Sequence, residues 1–184
     1  MHIELCLCNE LPKLNLKTRV TVIMHHREWQ KPTSTARLFT LCVDNSEIRI
    51  RGDKDIPFHT DGIVTEDHRC LYLFPSDDAR VLSKEMASED SRPIHLIVPD
   101  GSWRQASKIG QREAAFVNLP RVILPNMGPS RYRLRSEPKA GGLSTFEAMA
   151  RAMRILEGEE AYQALDGLFT KMVERTLATR GTIL

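Results

Sequence analysis

Short runs of β-branched and apolar residues, separated by stretches with helical spacing, constrain the fold of this 184-residue chain more than any other feature. Five runs bounded by turn-forming residues predict strands over 20–24, 48–50, 70–74, 94–98 and 121–124. The stretches 34–43, 77–87 and 102–110 predict helices between them. Because such alternation builds βαβ units, it predicts an α/β fold with a mostly parallel sheet flanked by helices.

Towards the end of the chain the pattern becomes helical. Apolar residues recur at helical spacing over 146–156, and the preceding Ser144 forms a capping box with Glu147, in which the two side chains satisfy free amides of the first turn. A second apolar stripe over 165–173 predicts a last helix. No repeat or linker interrupts the chain, so we expect a single domain over 1–184.

The composition is that of an ordinary globular protein, with 41% hydrophobic and 27% charged residues, and it argues against disorder and coiled coil. The net charge of +2 does not by itself indicate nucleic-acid binding. The segment 100–140, however, carries eight Lys or Arg against three acids. Clustered basic charge is typical of a phosphate-binding face, although a solvated helix face has the same composition.

The N-terminal residues lack the pattern of a signal peptide, and no apolar run approaches the roughly 20 residues that span a bilayer. We therefore expect a cytoplasmic protein without a membrane partner and with reduced thiols. A structural zinc normally takes four ligands, and only Cys6 and Cys8 lie together in sequence. We expect no metal, although recruitment of Cys42, Cys70 or a histidine stays open.

Residues 94–106 carry the most chemical information, because they lead from an apolar strand through a tight turn into a helix. Ligands of open α/β sheets bind beyond the carboxyl ends of the strands. Asp100 is therefore a candidate general base, Ser102 a hydroxyl contact and Trp103 an aromatic wall. The alternative is structural: Asp100 caps the helix, Gly101 permits the turn and Trp103 packs in the core.

The same residues resemble a known family. Asp100-Gly101-Ser102-Trp103 is similar to the Asp-x-Thr-Trp signature of the DTW-domain family, with serine in place of threonine, which keeps the hydroxyl and loses a methyl group. Further elements resemble the family's in the right order: His25-x-x-Glu28, Ser34-Thr35-Ala36-Arg37-Leu38, Leu73-Phe74-Pro75, Tyr132-Arg133-Leu134-Arg135 and Leu143-Ser144-Thr145-Phe146-Glu147-Ala148. Together they cover nearly the whole chain.

The resemblance implies an enzyme that transfers the 3-amino-3-carboxypropyl group of S-adenosylmethionine to N3 of a tRNA uridine and releases methylthioadenosine. It also implies a fold related to the SPOUT enzymes, with a C-terminal trefoil knot. Asp100, Ser102 and Trp103 are then the expected catalytic residues. The expected binding residues for S-adenosylmethionine are Phe74, Pro75, Pro99, Gly101, Leu124, Leu143, Ser144 and Thr145. The expected contacts to tRNA are Arg104, Arg131, Tyr132, Arg133 and Arg135.

Several alternatives stay open at this point. The same fold can transfer a methyl group, the acceptor can be rRNA, and the chain can be a non-catalytic RNA-binding module. The methionine carboxylate is expected to bind amides at the helix starts after Asp100 or Leu143. His25 is expected to cap a helix or pair with Glu28 rather than bind metal, and Glu147 is expected to cap rather than catalyse. The sequence indicates neither the oligomeric state nor which uridine is modified.

Overall fold

The computed structural model of the chain describes residues 6–31, 34–132, 134 and 142–179. Six strands of the described chain form one sheet in which every pairing is parallel, in the order β2-β1-β5-β3-β6-β4. The strands are β1 Arg19–His25, β2 Ser46–Arg51, β3 Arg69–Leu73, β4 Arg80–Val81, β5 Ile94–Asp100 and β6 Arg121–Ile123. The predicted α/β architecture with a parallel sheet is confirmed.

Seven α-helices lie in the described part of the chain, after a short 3-10 turn at Cys8–Glu10. They are α1 His26–Trp29, α2 Ala36–Thr40, α3 Lys84–Ala87, α4 Trp103–Arg112, α5 Ala114–Val117, α6 Thr145–Leu156 and α7 Glu159–Thr179. The helix predicted after Asp100 and the two C-terminal helices are confirmed. The helix predicted over 34–43 is shorter than expected.

The helix predicted over 77–87 is wrong in its first half. Arg80 and Val81 form strand β4, which pairs with β6 at the edge of the sheet. Both side chains are exposed, so the strand has no alternation that sequence reasoning could detect. The helix begins only after Ser83, whose Oγ accepts a hydrogen bond from the Met86 amide at 3.2 Å.

Two neighbouring inner strands, β1 and β5, are almost completely buried because helices cover both faces of the sheet. Val22 on β1 belongs to the core that includes Phe146 of α6 and Leu165 of α7. Ile23, the next residue, points to the opposite core with Ile109 of α4. Each such side chain contributes about 1.5–3 kcal/mol of burial free energy. Because helices cover both faces of the sheet, the ends of the strands are left for binding a ligand.

None of the helices within the described ranges combines the length and the apolarity needed to cross a bilayer.

Candidate active site

The carboxyl ends of β3, β5 and β6, together with the start of α6, border a cavity of about 570 Å³. A cavity of this size is typical of small-molecule sites. The cavity also lies beyond the carboxyl ends of parallel strands, which is where such a sheet is expected to bind its ligand. The cavity is lined by seven of the eight residues predicted to bind S-adenosylmethionine: Phe74, Pro75, Pro99, Gly101, Leu124, Leu143 and Thr145. The eighth, Ser144, is buried beside it.

Two aromatic side chains form one side of this cavity. Phe74 directly follows β3 and Trp103 begins α4, and their ring centroids lie 5.7 Å apart with the planes tilted by 53°. Trp103 is partly exposed and lines the cavity, so it does not pack in the core as the structural alternative had it. The pair offers flat apolar surface of the kind that adenine rings bind.

Asp100 is the last residue of β5 and lies beside the cavity at the carboxyl edge of the sheet, with 8% of its surface exposed. Its Oδ1 accepts a hydrogen bond from Thr145 Oγ1 at 2.5 Å, which connects the end of β5 to the start of α6. Asp100 does not cap α4, because that position belongs to Ser102. The structural alternative for Asp100 is therefore wrong, and a buried, oriented carboxylate stands next to the cavity.

Ser102 has a structural role of its own. Its Oγ accepts a hydrogen bond from the Gln105 amide at 3.4 Å, and its own amide donates to Gln105 Oε1 at 2.8 Å, which completes a capping box. Ser102 is exposed and does not line the cavity. The role of Gln105 was not predicted from the sequence, although the Ser-x-x-Gln spacing indicates this box. A side chain at Gly101 would approach Gln105 Cβ to 3.0 Å, so any other residue there would require a small shift of Gln105.

The capping box at the start of α6 is confirmed. Ser144 Oγ accepts from the Glu147 amide at 3.2 Å, and Glu147 Oε2 accepts from the Ser144 amide at 3.1 Å. The Glu147 carboxylate also accepts from Ser130 Oγ and from the Arg131 amide, both at 2.7 Å. Glu147 therefore caps the helix and fixes the preceding loop against it.

One charged residue on the cavity wall was not predicted. Arg151 of α6 is buried, donates from Nη1 to the Gly128 carbonyl at 2.8 Å and donates from Nη2 to the Pro129 carbonyl at 2.7 Å. It lies six residues after Thr145, with Ala148 between them on the same helix face. The spacing of these residues could have indicated from the sequence that they share a helix face. An arginine in an amphipathic helix, however, normally indicates a solvated face.

The residues predicted to contact tRNA fall into three groups. Arg104 and Arg131 are exposed, and Arg131 forms an ion pair with Asp166 of α7. Tyr132 is buried and its ring lies 5.9 Å from that of Phe169, so it packs in the core instead of offering a face to a base. Arg133 and Arg135 lie outside the described residues.

His25 caps α1 by accepting a hydrogen bond from the Arg27 amide at 3.2 Å, as predicted. Burial, together with the neighbouring charges of His26 and Arg27, lowers the pKa of His25. The Glu28 carboxylate accepts from Lys31 at 2.6 Å. The position of His25 is therefore explained without a metal.

The part of the chain that the structure describes holds no group of three or more His, Cys, Asp or Glu placed to bind a metal ion. Burial raises the pKa of the Cys42 thiol to about 11, so the thiol is protonated at neutral pH. Cys6 and Cys8 are exposed.

Several known proteins whose names state an activity are similar to this chain. The tRNA-uridine aminocarboxypropyltransferase 2 of Mus musculus is 29% identical over 168 residues, which covers 87% of this chain and 55% of the relative. The Drosophila melanogaster protein of that name is 27% identical over 161 residues, covering 84% and 63%. The tRNA-uridine aminocarboxypropyltransferase A of Arabidopsis thaliana is 28% identical over 200 residues, covering 92% and 75%.

The chain thus spans little more than half the length of the Mus musculus relative. No solved structure matches it. The family model of the DTW domain matches residues 1–177. The resemblance carried by the Asp100–Trp103 motif is therefore confirmed, and this chain belongs to the DTW-domain family.

Proposed function

We propose that the chain transfers the 3-amino-3-carboxypropyl group of S-adenosylmethionine to N3 of a uridine in tRNA and releases methylthioadenosine. The relatives carry the name of tRNA-uridine aminocarboxypropyltransferases. The observation that carries the proposal is the buried Asp100 carboxylate, held by Thr145 beside a 570 Å³ cavity with an aromatic side. Both the cavity and the carboxylate lie where a parallel sheet binds its ligands.

The volume and the largely apolar lining of the cavity support S-adenosylmethionine as its ligand. Phe74 and Trp103 supply flat surface for the adenine ring, and the surrounding proline and leucine side chains exclude water. When bound, the sulfonium activates the γ-carbon of the methionine tail, because methylthioadenosine is a good leaving group. No metal is needed for this chemistry.

Asp100 acts as the general base in this proposal. The bond from uridine N3 to the γ-carbon forms, the bond from that carbon to sulfur breaks, and the N3 proton passes to the Asp100 carboxylate. Thr145 donates to Oδ1 and so orients the carboxylate. General base catalysis contributes about 10²–10⁴-fold to such a step, and alignment of the reacting atoms lowers the barrier by up to about 7–11 kcal/mol.

The basic segment 100–140 supplies the tRNA contact in the same proposal. Arg104 and Arg131 are exposed, and Arg133 and Arg135 extend the charge along the chain. Replacing Arg131, Arg133 and Arg135 by alanine should weaken tRNA binding much more than S-adenosylmethionine binding. Each lost phosphate contact makes log affinity less steep against log salt by about 0.7–0.9. An unchanged slope would remove this segment from the RNA face.

The decisive experiment identifies both products. The protein is incubated with unmodified tRNA and S-adenosylmethionine, and mass spectrometry of nucleosides and small molecules follows. Aminocarboxypropyluridine together with methylthioadenosine supports the proposal. S-adenosylhomocysteine would indicate methyl transfer, modification of rRNA alone would indicate another acceptor, and RNA binding without turnover would indicate a non-catalytic module.

The resemblance also implies a SPOUT-related sheet with a C-terminal trefoil knot, and we include both in the proposal together with a single domain and a cytoplasmic location. Part of the connection between β6 and α6 lies outside the described residues. An experimental structure that traces this connection decides whether the chain is knotted.

A further inference from the structure

The aminocarboxypropyl group differs from a methyl group in carrying a carboxylate, and the cavity wall holds one cation. Within the described ranges, Arg151 is the only charged residue among those that line the cavity. It lies on the face of α6 that also presents Thr145, the partner of Asp100. Arg151 is 8% exposed, so water contributes little to solvating its guanidinium group.

Within the described residues, the Arg151 guanidinium group forms no ion pair. Its two hydrogen bonds go to the carbonyl groups of Gly128 and Pro129. Two carboxylates border a small gap beside it, but Glu147 accepts from Ser130 and Ser144, and Asp166 is paired with Arg131. Neither carboxylate forms an ion pair with Arg151, so a carboxylate of the ligand can make the direct ion pair that the described residues do not make.

The sequence suggested two sites for the carboxylate, the helix starts after Asp100 and after Leu143. At the second of them, the start of α6, three amides already have partners: the Ser144 amide donates to Glu147 Oε2 at 3.1 Å, the Phe146 amide to Thr35 Oγ1 at 3.2 Å and the Glu147 amide to Ser144 Oγ at 3.2 Å. A carboxylate at these amides would have to displace these bonds. Arg151 carries a full charge, and its two hydrogen bonds leave further N–H groups of the guanidinium for a ligand.

We infer that Arg151 binds the carboxylate of the ligand's amino-acid tail and so sets the specificity of the cavity for a carboxylate-bearing tail. This inference rests on the proposed function. Six residues of α6 separate Thr145 from Arg151, a rise of about 9 Å, and helical side chains lean back towards the N-terminus. The span suits a tail whose γ-carbon lies near Asp100 and whose carboxylate lies a few bonds further along α6.

The test compares three ligands by calorimetry on the purified protein: S-adenosylmethionine, its decarboxylated analogue and methylthioadenosine. The wild-type protein should prefer S-adenosylmethionine to the decarboxylated analogue by about 10- to 100-fold, the value of a charge-assisted hydrogen bond. Arg151→Gln should bind both equally and keep wild-type affinity for methylthioadenosine, which has no tail. Arg151→Lys should keep part of the preference, because it keeps the charge.

Arg154→Gln is the matched control, since Arg154 is an exposed arginine of the same helix that pairs with Glu159 at 2.6 Å. It should bind all three ligands as the wild-type protein does. An undiminished preference in Arg151→Gln would overturn the inference. An equal loss for all three ligands would also overturn it, because Arg151 would then only hold the 128–129 loop. If the wild-type protein bound neither S-adenosylmethionine nor methylthioadenosine, the proposed function itself would fail.

Discussion

The two ends of β5 each carry a buried polar side chain bonded to a threonine, and the one at the carboxyl end lies beside the 570 Å³ cavity. His95, near the start of the strand, is fully buried, with Nε2 2.7 Å from Thr21 Oγ1. Asp100, at its end, accepts from Thr145. Strands of a parallel sheet open into a crevice at their carboxyl ends. A buried polar group therefore indicates a functional site only where the fold also leaves space for a ligand.

The electrostatic surroundings of His95 fit a structural role. Burial lowers the pKa of His95 to about 4, and the nearby charges of Arg19 and His68 act in the same direction, whereas Glu47 opposes them. The Glu47 carboxylate accepts from Arg19 at 2.8 Å and from Thr21 at 3.1 Å. His95 is therefore neutral at pH 7 and its Nε2 is bonded to Thr21, in contrast to the carboxylate at the other end.

The largest expected effect is catalytic and lies at the carboxyl end. Asp100→Asn should slow transfer by about 10²–10⁴-fold, because an amide cannot accept the N3 proton. Binding of S-adenosylmethionine should change little, since Asp100 acts on the uridine. Methylthioadenosine release in single-turnover reactions and calorimetry measure the two effects.

His95→Asn is the control at the opposite end of the strand, and it should leave the transfer rate unchanged. Near-wild-type turnover of Asp100→Asn would mean that Asp100 only connects β5 to α6. The two ends of β5 would then not differ in function.

The next largest expected effect is on the free energy of unfolding, and it concerns His95 at the amino end of β5. The unfolded chain protonates His95 near pH 6.5, whereas the folded protein does so only near pH 4, so the unfolded state binds more protons between these values. The free energy of unfolding should therefore fall by up to about 3 kcal/mol as the pH drops from 6.5 to 4, with no further loss from this group below pH 4. Urea unfolding at pH 7 and pH 4.5 measures the fall.

His95→Gln should show a flatter dependence over the same range, because it has no imidazole to protonate. The window lies above the region where Glu89 and Asp90, each with a pKa lowered to about 2 by arginine partners, titrate. Parallel pH profiles for the variant and the wild-type protein would mean that His95 contributes nothing to acid sensitivity.

Thr145 and Thr21, the partners of Asp100 and His95, permit the same substitution at both ends of β5, with a smaller expected effect. Thr145→Val should slow transfer about tenfold, because the Asp100 carboxylate loses the hydrogen bond that orients it. Thr21→Val should instead lower the free energy of unfolding by about 1–2 kcal/mol and leave the rate unchanged, because His95 loses a buried partner. Rates and urea unfolding are measured for both variants. Equal slowing by both would contradict the separation of the two ends.

The smallest expected effect is at Ser102. Ser102→Ala should lower the free energy of unfolding by about 1 kcal/mol through loss of the α4 cap, and Ser102→Thr should preserve both stability and rate, since it keeps the hydroxyl. Thermal unfolding and turnover are compared for the two variants. A rate loss in Ser102→Ala, with normal turnover in Ser102→Thr, would place the hydroxyl in catalysis, as the sequence analysis expected.

Features that depend on neighbours in sequence could be predicted from the sequence. The strand at 94–98 is apolar except for His95 because both of its faces are buried. The Ser144–Glu147 box was predictable because its bonds span only three residues. The two-residue strand β4 was not, since its exposed residues carry no periodic signal.

The sequence by itself determined the parallel α/β architecture, the capped C-terminal helices and the candidate motif at Asp100–Trp103, because each depends on local spacing or on a run of similar residues. Only the tertiary structure decided which side chains meet there. Thr145 lies 45 residues from Asp100, and Arg151 reaches a carbonyl 23 residues away. A side chain's type limits the bonds it can make, but its partner depends on how the strands and helices pack, which brings distant residues to one edge of the sheet.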